Sequence, residues 1–144
     1  MMSYTTQELS LQLPTDEMQD GTINILRFPA LGTSLVITRG NLAADETLRS
    51  HFEEQLGKLA TQLKDMKTSP ISDTCVGPAG DIDAVELRNQ FIKGGEQVYQ
   101  FQLGFIPAAG RIMSLSYVKP KPMGEAEASH WESIKRSLVL NAAG

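Results

Sequence analysis

Two histidines and one cysteine are the most reactive side chains of this chain, and their spacing predicts no chemistry. His51 and His130 form neither an H-x-x-x-H nor an H-E-x-x-H pattern, so both are predicted to be solvated surface residues. Cys75 follows in a predicted loop without a neighbouring histidine or basic residue that would stabilise a thiolate. These residues therefore predict neither a metal centre nor a nucleophilic cysteine.

Other catalytic and ligand-binding motifs are equally weak. The stretch 32–36 begins like G-x-S-x-G but has Val36 at its fifth position, and no phosphate-binding glycine loop occurs. Asp81 and Asp83 lack the rest of a calcium-binding loop. We therefore expect a protein that is not an enzyme and that needs no cofactor. A small hydrolase, using Cys75 or a serine with one histidine, is the weakest alternative.

Length and charge restrict the class further. The 144 residues are enough for one domain, 1–144. Thirteen Lys and Arg against 17 Asp and Glu give a net charge of −4, which argues against a nucleic-acid partner. A single cysteine excludes an internal disulfide, and no apolar run reaches the roughly 18 residues of a membrane span. Without a visible secretory signal, the expected location is the cytoplasm.

Hydrophobic periodicity predicts the order βββαβββα. The first helix has Asp45 as its N-cap and an apolar stripe that continues to Met66. The second helix covers 125–138, and strands are predicted over 8–13, 22–28, 34–39, 83–93, 97–106 and 111–118. The expected fold is α+β, a mainly antiparallel sheet of about six strands with the two main helices packed on one face.

Alternation within the strands separates a core face from a second, mixed face. In 97–105 the aromatic face should pack under the helices, which leaves Gln100 and Gln102 on the other side. In 22–28, Leu26 and Phe28 are expected in the core. Ile23 and Ile25 then lie on the open sheet face, where a dimer partner or the second helix could cover them.

Several short patterns occur together in an order that resembles the DcrB-like domain, and within it the Eag branch. They are the segment 11–14, the spacing Asp20-x-x-x-Asn24-x-Leu26-x-Phe28, the segment 34–39, Gln55-Leu56 with Leu59, Gln100-x-Gln102, and Trp131-x-x-Ile134-x-x-Ser137. The resemblance covers nearly the whole chain. Eag proteins are chaperone-adaptors of bacterial type VI secretion, and their fold is DcrB/PsbP-like.

This resemblance implies a cytosolic homodimer that binds the N-terminal region of a secreted effector. In the family that region carries hydrophobic transmembrane helices beside a PAAR spike-tip domain, often in an Rhs toxin. The chaperone shields the helices from water and promotes loading on the spike. Many DcrB-like relatives are lipoproteins, but this chain shows no lipobox cysteine, which favours the cytosolic branch without direct membrane insertion.

We expect the client helices to lie on a surface that combines apolar and hydrogen-bonding side chains, as helices do inside membranes. The residues expected to contact the helices are Ile23, Ile25, Val36, Leu59 and Leu63 for apolar contacts and Ser34, Gln55, Gln100 and Gln102 for polar ones. The alternative is a generic binding module of PsbP-like fold that docks on a folded partner. Such a module would not need to solubilise a hydrophobic client.

Overall fold

The computed structural model describes the backbone of residues 2–5 and 10–13 and, apart from the side chain of Lys64, all of residues 23–140. The strands are β1 (Met2–Thr5), β2 (Ser10–Leu13), β3 (Asn24–Phe28), β4 (Thr33–Asn41), β5 (Lys64–Thr68), β6 (Ser72–Val76), β7 (Ile82–Lys93), β8 (Glu96–Phe105) and β9 (Arg111–Lys119). The helices are α1 (Leu48–Gln62) and α2 (Glu125–Ser137).

Seven of these strands form one antiparallel sheet in the order β3-β4-β9-β8-β7-β5, in which β6 also pairs with β7. Among the described strands, β1 and β2 pair with each other and with no other strand. The predicted α+β class with a mainly antiparallel sheet and two helices is therefore confirmed. Of the strand predicted over 8–13, Ser10–Leu13 is observed, and residues 8 and 9 lie outside the described part of the chain. Residue 22, the first of the strand predicted over 22–28, also lies outside it.

The two helices lie on opposite faces of the sheet, and the prediction that both pack on one face is wrong. Phe52 of α1 packs directly over Gly104 of β8. Trp131 of α2 clusters with Leu103 and Phe105, the neighbours of that glycine in the strand. Because successive residues of a strand point to opposite faces, the sheet carries a core on each side. The faces are called here the α1 face and the α2 face.

The larger core lies on the α2 face. Its centre is Tyr117, Phe105 and Leu103, which are almost completely buried, and Trp131 stacks on both Phe101 and Tyr117. On the α1 face the core is smaller and contains the buried side chains of Phe52, Val85, Leu87 and Ile112. The aromatic face predicted for β8 is thus covered, but by α2 and not by α1.

Helix α1 begins at a different cap from the one predicted. Thr47, not Asp45, is the N-cap: its hydroxyl accepts from the backbone N–H of Ser50, whose own hydroxyl accepts from the Thr47 N–H. This reciprocal pair satisfies two free donors at the start of the helix. The helix ends at Gln62, before the predicted end at Met66, because its C-cap Leu63 is already extended and β5 begins at Lys64.

The segments β5 and β6 were not predicted as strands. Both lie along the same side of β7, and most of their side chains are exposed. An edge strand that is exposed on both faces has no buried side chains to alternate with polar ones. The apolar–polar alternation that indicates a strand is therefore absent from β5 and β6. Leu26 is a second correction: it is 47% exposed rather than in the core, whereas Phe28 does pack against the larger core.

Ion pairs attach α2 to the sheet. Lys135 is buried and its Nζ lies 2.7 Å from a carboxylate oxygen of Glu86 and 2.7 Å from one of Glu132. Near the start of the helix, Lys119 of β9 donates to Glu127, which also accepts from the N–H of Gly124. The hydrogen bond from Lys119 holds the pKa of Glu127 below its usual value. These contacts fix the orientation of α2 on its face.

Candidate functional site

The α1 face carries a row of paired residues that crosses four strands. Ile25 of β3 lies opposite Val36 of β4, which lies opposite Ser116 of β9, which in turn lies opposite Gln102 of β8. Directly opposed residues of an antiparallel pair point to the same face with their Cβ atoms roughly 5 Å apart. The row therefore places an exposed isoleucine and an amide on one continuous surface.

Hydrogen bonds connect the polar members of this surface. The Asn89 amide donates to Oε1 of Gln102 at 2.8 Å, and Nε2 of Gln102 donates to the hydroxyl of Ser116 at 3.3 Å. Beside this chain of bonds, the hydroxyls of Thr38 and Ser114 are 2.7 Å apart. Gln102 and Ser116 are partly exposed and retain further hydrogen-bonding capacity. The surface is therefore ordered but still able to bond a ligand.

A cleft of about 330 Å³ separates α1 from the neighbouring strands. Its lining includes Gln55, Leu56 and Leu59 of the helix together with Thr38, Gln102 and Ser114 of the sheet. A cavity of this size accepts side chains or a small ligand. It widens the mixed surface by adding one flank of α1 to the uncovered strands.

The dimensions of the surface match those of a single helix. Strand β4 has nine residues and so spans about 30 Å, the length of a helix that crosses a membrane. The width from β3 to β8 is three strand spacings, about 14 Å, against a helix diameter of about 10–12 Å. One helix could therefore lie along β4 between α1 and the edge of the sheet.

The structure brings most of the predicted contact residues onto this surface. Ile25, Val36 and Gln102 belong to the row described above, Ile23 directly precedes β3, and Gln55 and Leu59 line the cleft. Ser34 lies on the same face, opposite Val118.

Two of the predicted residues are less well placed. Gln100 shares the α1 face but is only 7% exposed, so its side chain lies beneath the surface. Leu63 is the C-cap of α1, is half-buried, and is not among the residues that line the cleft. The surface is therefore centred on Gln102 rather than Gln100.

Sequence reasoning found Ser34 but missed Ser114 and Ser116 on this face, and it missed the role of Asn89. Ser114 and Ser116 are two residues apart in β9, so the alternation of that strand alone could have placed both on one face. Asn89 shares a face with Val85 and Leu87, as the alternation of β7 indicates. Its bond to Gln102 had no signal in the sequence because it joins different strands.

Neither histidine is the solvated surface residue that was predicted. His51 is half-buried beside Glu46, with 3.3 Å between its Nδ1 and a carboxylate oxygen, and His130 lies 3.2 Å from the Tyr117 hydroxyl. The exposed thiol of Cys75 donates to the carboxylate of Asp83 at 3.5 Å, and this bond raises the pKa of the thiol. A raised pKa leaves less of the nucleophilic thiolate at neutral pH.

Two further features of the described residues concern metals and membranes. Within 23–140, no group of three or more His, Cys, Asp and Glu side chains is arranged to hold a metal ion. In the same part of the chain, neither helix combines the length and apolar character that crossing a membrane requires.

The fold and this surface define a small α+β domain with one sheet face only partly covered. The sequence matches the family model of DcrB over residues 8–137. The chain therefore belongs to the DcrB family, as its short sequence patterns predicted.

The same fold occurs in a solved structure. It is the crystal structure of PA94 from Pseudomonas aeruginosa, described as a protein of unknown function and a candidate regulator. The TM-score is 0.72 with 24% sequence identity, over 99% of this chain and 98% of the other. Identity at this level shows a shared fold alone. No curated protein matches this chain.

Proposed function

We propose that this protein is a cytoplasmic, non-enzymatic chaperone-adaptor of the Eag type. In this proposal it binds the N-terminal hydrophobic helices of a PAAR-containing type VI effector, often an Rhs toxin, and promotes loading on the secretion spike. The observation that carries the proposal is the α1 face, where exposed isoleucines adjoin an ordered set of amides and hydroxyls.

Both components of the surface suit a membrane helix in water. Such a helix exposes about 20 mostly apolar residues, and burying each large one contributes about 1.5–3 kcal/mol. Ile23, Ile25 and Leu59 supply apolar area for that burial. Gln102 and Ser116 can bond polar groups of the helix, which would otherwise lose their partners on leaving water.

Co-expression tests the proposed function. The N-terminal segment of the effector encoded beside this chain should be soluble with the chaperone and should aggregate without it. The measurement is the soluble fraction of that segment after centrifugation, with an unrelated small α+β protein as the control. An equal soluble fraction without this chain would contradict the proposal and favour a module that docks on an already folded partner.

The edge of the sheet supports a homodimer as the working unit. On its outer side β3 pairs with no strand in the described part of the chain, and Leu26 and Leu31 are 47% and 45% exposed beside it. An unpaired edge with apolar side chains is a template for another strand. A second copy that adds its own β3 would satisfy the edge and place two α1 faces side by side.

We expect Leu26→Asp to convert the dimer to a monomer. The carboxylate would lie at the proposed contact, where its desolvation opposes association, while the half-exposed position tolerates it in the monomer. The measurement is molecular mass by light scattering after size exclusion. Val139→Asp changes an equally apolar, more exposed residue at the far end of the chain and should leave the mass unchanged. A dimeric Leu26→Asp variant would exclude this edge as the interface.

A further inference from the structure

A second cavity lies on the α2 face, on the other side of the sheet from the proposed client surface. It has a volume of about 360 Å³ and is located where β5, β7 and β8 extend past the start of α2. Lys67, Gln90 and Tyr99 lie opposite one another across these three strands, and Arg88 lies opposite Phe101. With Met123, these residues form what is called here the basic cavity.

The cations of the basic cavity are not neutralised. Lys67 and Arg88 make no ion pair with any described residue, and none of the residues that line the cavity is Asp or Glu. Glu86, two residues before Arg88 in β7, and Glu132 of α2 are both bonded to Lys135. In a chain of net charge −4, this leaves a local positive potential that favours an anion.

The backbone around Arg88 is held in place by Ser69. The N–H of Ser69 donates to the Arg88 carbonyl at 2.8 Å, and the N–H of Arg88 donates to the Ser69 hydroxyl at 2.8 Å. This pair continues the contact of the β5 segment with β7 beyond the regular ladder. The wall that carries both cations is therefore fixed before a ligand arrives, which lowers the entropy lost on binding.

The remaining lining identifies the kind of anion. Phe101 and Met123 give the cavity an apolar part, while Tyr99 and Gln90 add polar groups beside the cations. A guanidinium pairs with a carboxylate through two parallel hydrogen bonds. A free phosphate would use the cations but leave the apolar part unfilled, whereas an acidic residue next to an apolar one would use both.

We propose that the basic cavity is a second protein-docking site, which takes a carboxylate side chain of an acidic partner segment together with the apolar side chain beside it. It lies on the face opposite the client surface, so both could be occupied at once. This proposal does not depend on the proposed chaperone function, because it rests on other residues.

The test uses the ¹⁵N-labelled full chain and a blocked peptide of alternating Glu and Leu. We expect saturable changes in the chemical shifts of the backbone amides of Lys67, Arg88 and Tyr99. Added salt should lower the affinity because the two cations are exposed. Lys67→Gln combined with Arg88→Gln should weaken binding at least about tenfold. Lys93→Gln with Arg136→Gln changes the net charge equally at exposed sites elsewhere and should change affinity less than about twofold.

Several outcomes would overturn the docking site. One is that a peptide with Gln in place of Glu binds as tightly as the Glu peptide. Another is that both double variants lose the same affinity. The third is that millimolar peptide causes no saturable change in the amide chemical shifts. Sodium phosphate that shifts the same amides as strongly as the peptide does would assign the cavity to a simple anion instead. None of these results bears on whether the chaperone solubilises its client.

Discussion

Under the proposed function, Ile25→Asp is expected to abolish co-purification of the hydrophobic effector segment while the protein itself stays folded. Ile25 is 51% exposed, and it begins the row that ends at Gln102. Burial of one such side chain contributes about 1.5–3 kcal/mol, which is a factor of roughly 10 to 100 in affinity. A carboxylate at this position adds its own desolvation cost, so the loss should exceed that range.

The control for this experiment is a matched exposed residue. Val139 is also β-branched, is 65% exposed and lies after the end of α2, outside the α1-face row. Val139→Asp should therefore leave co-purification intact. Both variants should keep the circular dichroism and the unfolding free energy of the parent to within about 1 kcal/mol. Retention of the client by Ile25→Asp would remove the α1 face from the binding site. A change in its molecular mass would instead assign Ile25 to the dimer contact.

The second large effect is expected in the core of the α1 face. A Cβ atom added at Gly104 would overlap the ring of Phe52, which packs directly on the glycine. Overpacking a core usually costs about 1–3 kcal/mol, and the overlap here is severe, so Gly104→Ala should reach or exceed about 3 kcal/mol. The measurement is the free energy of unfolding from urea titration.

A double-mutant cycle separates this overlap from a general weakening of β8. Phe52→Ala alone should cost about 3–5 kcal/mol because it empties the smaller core. With the ring removed, the methyl group of Gly104→Ala has room, so the double variant should be about as stable as Phe52→Ala. Additive losses would show that the glycine is needed for another reason, such as its backbone conformation.

The sequence carried enough information for the fold class and for one face of the sheet. Alternation in β8 separates Phe101, Leu103 and Phe105 from Gln100 and Gln102, and the structure keeps this division. Alternation cannot say which helix covers which face, since that depends on the connections between elements. Ala84 and Val85 are successive residues of β7 that point to opposite faces, and both are buried. Two adjacent apolar residues of this kind indicate that both faces of the sheet are covered.

The parts that were missed have a common physical cause. The strands β5 and β6 are stabilised by backbone pairing with β7, and their mostly polar side chains bury little. The polar set on the α1 face depends on which strands are neighbours: Asn89, Gln102 and Ser116 come from three different strands. Single-sequence patterns report the faces of each strand but not the order of strands in the sheet.

The bond sequence from Asn89 through Gln102 to Ser116 has one end without a partner, because Oδ1 of Asn89 is buried and bonds no other atom. Amides and hydroxyls both donate and accept. Rotation of the side-chain amides of Asn89 and Gln102 by a half-turn would therefore exchange donor and acceptor in each hydrogen bond. In its bond to Gln102, Ser116 would then change from acceptor to donor without any strand moving, and its hydroxyl would be left to accept from a bound ligand rather than to donate to it. If the proposed function holds, the surface would thereby distinguish polar from apolar atoms in a bound helix, but not donors from acceptors, and so would suit helices of unrelated sequence.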